Sequence, residues 1–230
     1  MIPENPEEEV CLGAARIPKD DGVLSLHQRG ASFTLRVRDT ELMNSAVHDS
    51  EDALATLGCA KLAGHPNPSV LIGGLGMGYT LAAALRTLGP GARVVVAELM
   101  PAVVEWNRGP LANLAGRPLD DARVAVRLQD IAHSLQAARR EFDGILLDVD
   151  NGPEGLTRDS NNWLYSEEGL TAAYGALRPH GTLAVWSATP EKSFTMRLRK
   201  IGFTVEEVRV PARAGSGAER HAIWVADCGA

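Results

Sequence analysis

Cysteine, aromatic residues, basic charge and long apolar runs are all in short supply in this 230-residue chain, and each shortage excludes something. Cys11, Cys59 and Cys228 are odd in number, far apart and without a C-x-x-C pair. A disulfide framework or zinc site is therefore not expected, and no metal is assigned. No stretch reaches the roughly 18 apolar residues of a membrane span, and the N-terminus lacks the basic-then-apolar order of a signal peptide. A cytoplasmic location and no membrane contact are the expectations. With 23 Lys and Arg against 29 Asp and Glu, the formal charge is −6, and nucleic acid is not an expected partner.

What remains is ordinary for a globular protein, 45% hydrophobic and 23% charged, and long enough for one α/β domain with an appendage. Residues 1–21, rich in Pro, Glu and Asp, are expected to be a flexible leader. Residues 22–68 are expected to form an N-terminal appendage. Alternation over residues 23–27 and 32–38, around Gly30, predicts a β-hairpin, and a helical rhythm follows over residues 50–57 with Ser50 as its cap. Residues 69–230 are expected to form a Rossmann-like ligand-binding domain.

That domain opens on residues 69–98. A short apolar strand (Val70, Leu71, Ile72) runs into the turn Gly73-Gly74-Leu75-Gly76-Met77-Gly78, then a helix, then a strand closed by Glu98. Glycines admit positive φ and close backbone approach, the helix start offers free N–H groups, and an acid ending the second strand suits ribose hydroxyls. The third glycine of a dinucleotide fingerprint would fall on Tyr79, so the turn suits an uncharged nucleoside better than a pyrophosphate. Strands are expected at residues 123–128, ending near Asp130, at 142–148, ending in Asp148, and at 182–187. An antiparallel pair over residues 203–210 and 221–226 closes the chain. The expected fold is α/β, a doubly wound, mostly parallel seven-stranded sheet with a short N-terminal hairpin and helix.

With those residues placed, the chain resembles the spermidine synthase family of the class I S-adenosylmethionine-dependent methyltransferase superfamily. The family's GGGDGG-Thr-Leu aligns with residues 74–81, its E-[IL]-D-P-x-V with Glu98-Leu99-Met100-Pro101-Ala102-Val103, and its G-D with Gln129-Asp130. Its D-x-x-D-P aligns with residues 148–151, and its L-[KR]-P-G-G with Leu177-Arg178-Pro179-His180-Gly181. The resemblance implies S-adenosylmethionine, or its decarboxylated form, as donor. It implies Gly74, Gly76, Met77, Gly78, Glu98, Leu99, Asp130, Ile131 and Asp148 around that donor. Asp148 and Asp150 would be the acids that handle a small-molecule acceptor.

Departures from the family carry as much weight. Met77 stands where the family keeps an Asp for the donor's amine, Asn151 replaces the second acid of the strand-four motif, and a Tyr-rich segment has no counterpart in residues 41–62. Losing an acid at 77 removes a repulsion of about 1–4 kcal/mol against the carboxylate of the ordinary donor. Methyl transfer to a small molecule is therefore the leading expectation. Aminopropyl transfer is the alternative, and a non-catalytic adenosyl-binding protein using its hairpin as a dimer or partner surface is the third. Trp163, Tyr165, Trp186 and His48 are secondary site candidates.

Overall fold

A computed structural model describes residues 8–18, 21–38, 40–149, 163–211 and 220–229. Asp150, Asn151 and most of the expected acceptor loop lie outside the described residues, as does the 212–219 connection.

Two sheets are built. The N-terminal sheet has the order β1 (Glu9–Arg16), β2 (Val23–Arg29), β3 (Ser32–Val37), β4 (Thr40–Asn44), all antiparallel. The expected hairpin is β2–β3, joined at Gly30 with its positive φ of 58°. Two features differ from expectation. Residues 9–16, expected as leader, form a strand that pairs along its length with β2, and Glu9 at its start makes a bidentate contact with Arg36 at 2.7 and 2.9 Å. Residues 40–44 extend as β4 before any helix begins.

Helix α1 (Asp49–Cys59) is capped at His48, without a side-chain hydrogen bond, rather than at Ser50. Ser50 is instead buried and donates its hydroxyl to Glu51 Oε2 at 2.8 Å. A glycine decides how closely α1 approaches the main sheet: a Cβ on Gly58 would stand 2.3 Å from Leu146 Cδ2 and 2.8 Å from Ala184 Cβ. That near-contact seats α1 on the sheet and carries its N-terminal turn to the sheet's edge.

The main sheet contains β5 (Ser69–Gly73), β6 (Arg93–Glu98), β7 (Val124–Leu128), β8 (Phe142–Leu147), β9 (Leu177–Ser187), β10 (Thr204–Pro211) and β11 (Arg220–Asp227). Their order is β10-β11-β9-β8-β5-β6-β7, with β5 to β9 mutually parallel and β10–β11 antiparallel. The expected seven-stranded, mostly parallel sheet is therefore present. Alternate residues serve opposite cores: Val70, Ile72, Val94, Val96 and Leu146 face α1, α2 (Tyr79–Thr87) and α3 (Pro101–Arg108). Leu71, Val95, Ile145, Leu147 and Leu183 face α4 (Ile131–Ala137), α5 (Glu167–Ala176) and α6 (Lys192–Ile201). Burial on both faces explains why these strands read as continuous apolar runs. Among the described residues, no helix is long and apolar enough to cross a membrane.

Chain order reverses beside β5, whose neighbours are β6 on one side and β8 on the other. Open α/β sheets bind ligands in the crevice at such a point, beyond the carboxyl ends of the strands. Gly74, Glu98 and Asp148 follow directly from, or close, those three strands.

Candidate active site

A cavity of about 420 Å³ opens there. Its floor is made by Gly74 and Gly76 of the turn, with Glu98, Met100 and Asp148; its roof by Leu42, Met43 and Asn44 of the N-terminal sheet; one wall by Ser50 and Glu51. Trp186, Ala188 and His221 close the far end. Tyr79 helps to hold the roof, donating its hydroxyl to the Ser45 carbonyl at 3.1 Å and stacking on His48 with centroids 4.0 Å apart.

Glu98 is 7% exposed, and its carboxylate organises the glycine turn from below. Oε2 accepts the Leu75 N–H at 2.9 Å, and Oε1 accepts the Met100 N–H at 2.7 Å. Burial raises its pKa against the pull of these backbone donors. A carboxylate has about four lone-pair sites, so these donors leave it acceptor capacity for a ligand hydroxyl.

Gly74 holds a φ of 88°, and a Cβ there would lie 2.3 Å from the Asp148 carbonyl oxygen. The close approach that this glycine permits is thus to the chain's own backbone, locking the β5 turn to the end of β8. Gly74→Ala is expected to cost more than about 3 kcal/mol, combining a rigid backbone clash with a left-handed φ. A melting midpoint within about 2 °C of wild type would contradict it.

Asp148 accepts a hydrogen bond from Thr80 Oγ1 at 2.6 Å, and its amide donates to the Gly73 carbonyl at 3.0 Å. Burial pushes the carboxyl above its ordinary pKa, partly offset by Thr80. Glu51, 8% exposed, carries a second raised carboxyl, pushed up to about 7 by burial and then by the charge of Asp148. No Lys, Arg or His forms an ion pair with either acid among the described residues. Glu41 also lines the cavity, which holds four carboxylates and no Lys or Arg among its described lining residues.

Other expected residues are arranged differently. The Met77 side chain is 1% exposed and packs in the core on the α1–α3 face, so it does not face the cavity. The side chain therefore packs beneath the turn and makes no contact with the cavity. Ile131 is buried between β5 and β8, where a Cβ on Gly73 would approach its Cγ1 at 2.9 Å. Asp130 caps α4, accepting the Ala132 N–H at 2.9 Å, and neither it, Leu99 nor Gly78 lines the cavity. Tyr165 is 2% exposed and donates its hydroxyl to the Val149 carbonyl at 3.0 Å, and it does not line the cavity.

Sequence reasoning missed Glu51, Glu41 and His221. Glu51 had one signal, an acid in the first turn of a helix, but that pattern ordinarily complements the helix dipole at the surface. Trp186, a secondary candidate in the sequence, is a wall residue whose buried indole Nε1 lacks a hydrogen-bond partner among the described residues. Together with the spare lone pairs of Glu98, that orphaned donor fits a cavity completed by a polar nucleoside-type molecule.

The fold is the class I S-adenosylmethionine-dependent methyltransferase-like architecture. Solved structures that superpose on the chain include spermidine synthases. One, in complex with the transition-state analogue AdoDATO, shares 19% identity over 95% of this chain and 72% of its own, with a TM-score of 0.71. The enzyme from Thermotoga maritima shares 18% over the same fractions at a TM-score of 0.72, and a probable spermidine synthase from Corynebacterium glutamicum 14% over 94% and 79% at 0.66. No family model matches the chain, and no curated protein matches it. At these identities the likeness establishes the fold.

Proposed function

We propose that the chain is a transferase that alkylates a small amine, taking an aminopropyl group from decarboxylated S-adenosylmethionine. The observation that carries this reading is the acidity of the cavity: Glu41, Glu51, Glu98 and Asp148 line it, and no Lys or Arg does among the described residues. Buried carboxylates without a counter-cation, here Glu51 and Asp148, attract ammonium groups and repel a carboxylate. A decarboxylated donor and an amine acceptor both present ammonium groups; ordinary S-adenosylmethionine presents a carboxylate as well. The AdoDATO-bound spermidine synthase of the same fold supports the same choice.

The donor supplies an activated carbon beside a positively charged sulfur. The chain's residues orient, dehydrate and move one proton. Glu98 and the glycine turn suit the adenosyl ribose, and Asp148, at the end of β8, takes a proton from the acceptor ammonium. The freed amine forms the new C–N bond as the C–S bond breaks, and its electron pair leaves on sulfur as a neutral thioether. Positioning and proton removal are the two rate terms asked of the protein.

Calorimetry with the two donors tests this. Decarboxylated S-adenosylmethionine is expected to bind at least about tenfold more tightly, equivalent to roughly 1.4 kcal/mol. Tighter binding of the ordinary donor, with S-adenosylhomocysteine as product, would establish methyl transfer and overturn the proposal.

A further inference from the structure

We propose that Glu51, carried to the cavity by α1, is a second ammonium-binding residue that grips the substrate amine together with Asp148. The inference rests on the amine-transferase reading above and assigns a residue outside the sequence motifs.

Three observations converge on Glu51. Its side chain is more than nine-tenths buried, yet it lines the cavity. One oxygen is fixed by Ser50, while no cation among the described residues neutralises the charge. A buried carboxylate left without a counter-charge is costly unless a ligand supplies one. Its position is also built: Gly58 admits α1 against β8 and β9, and Tyr79 ties the preceding segment to α2.

The groups facing Glu51 explain its behaviour. Asp148 approaches from the end of β8, and Tyr79 from α2, its own pKa pushed up to about 12 by burial and then by Glu51 and Asp52. Asp52, on the same helix, is paired with Arg86 of α2 and lies 3.3 Å from His48 Nδ1. Glu41, Glu98 and His221 complete the titratable lining. Arg86 is thus committed to Asp52, leaving a substrate ammonium as the cation for the Glu51–Asp148 pair. Two carboxylates with raised pKa values share a proton readily, so the pair can receive the one proton that the acceptor ammonium gives up.

The test is calorimetry with 1,4-diaminobutane, which stays doubly protonated from pH 6 to 8, in the presence and absence of 5′-methylthioadenosine. Wild-type affinity for the diamine is expected to rise with pH through about 7, as Glu51 ionises. Glu51→Gln, which preserves shape and the Ser50 contact, should weaken the diamine at pH 8 by about tenfold or more. It should flatten the pH dependence and leave 5′-methylthioadenosine affinity unchanged. Glu51→Asp should retain the rise with pH.

Thermal melting gives an independent readout. A folded-state pKa raised to about 7 contributes stability that is complete below the ordinary carboxylate range and lost as pH rises through 7. The wild-type midpoint should therefore fall between pH 5 and 8, and the fall should shrink in Glu51→Gln. Equal diamine affinity in wild type and Glu51→Gln at both pH values, or no diamine binding to wild type under either condition, overturns the role of Glu51. Failure of wild type to bind 5′-methylthioadenosine would instead defeat the adenosyl-transferase reading, with the diamine titration alone still deciding Glu51.

Discussion

Asp148→Asn is expected to lower kcat for alkyl transfer by about 10²- to 10⁴-fold while leaving the protein folded. The side chain sits where β8 delivers it to the sheet's switch point, accepting the Thr80 hydroxyl at 2.6 Å. An asparagine carbonyl accepts the same hydrogen bond, so local geometry survives the exchange. On the amine-transferase proposal, what disappears is the charge that attracts an ammonium and the site that takes its proton. Burial already raises the Asp148 pKa, which means the native fold works against its ionisation. Removing the charge should leave the melting midpoint unchanged or raise it above neutral pH. Stopped-assay kinetics and melting on the same preparation check both halves. A variant that retains more than about one-tenth of wild-type kcat would show that Asp148 does not receive the proton.

Glu98→Ala should have the largest structural effect of any single side-chain truncation in the site. It strips the buried Leu75 and Met100 amides of the acceptors they reach at 2.9 and 2.7 Å. Each orphaned donor costs about 1–3 kcal/mol, so a loss of roughly 3 kcal/mol or more is expected. In a chain of this size that corresponds to a fall of about 6–12 °C in melting midpoint. Affinity for 5′-methylthioadenosine should drop at least about tenfold, because the turn loosens and the ribose loses its acceptor. Glu98→Gln keeps one carbonyl oxygen and should recover part of the stability. Unchanged 5′-methylthioadenosine binding in a folded Glu98→Ala protein would mean that the adenosyl pocket lies elsewhere.

These two acids were legible in the sequence because both close strands of the parallel sheet. Apolar runs bounded by turn residues locate the strands, and the residue that follows each run reaches the carboxyl edge regardless of what packs around it. Gly74 was legible too, and the structure adds a second reason for a glycine there. Besides lining the cavity, it lets the turn pass close to the carbonyl of Asp148. Met77 marks the limit of motif alignment. Its position in the turn matched, but the direction of its side chain depends on the turn's dihedral angles and on the core beneath it.

The N-terminal third was read less well. The run of Glu and Pro that suggested a loose leader conceals β1, which is held by cross-strand pairing and by the Glu9–Arg36 contact across 27 positions. Short strands with partly buried faces lack the long apolar signal that marked β5, β6 and β8.

By itself, the amino-acid order determined the sheet, the glycine turn and the acids at the strand ends. These follow from local patterning: period, turn chemistry and the apolar runs of doubly buried strands. Tertiary structure alone decided that Glu51, Glu41, Trp186 and His221 share one cavity with Asp148, and that Met77 faces the core. Those residues come from elements far apart in the chain, brought together by the packing of α1 over Gly58 and of the N-terminal sheet over the glycine turn. No local signal encodes such a meeting, because it depends on which faces of distant elements are buried against one another.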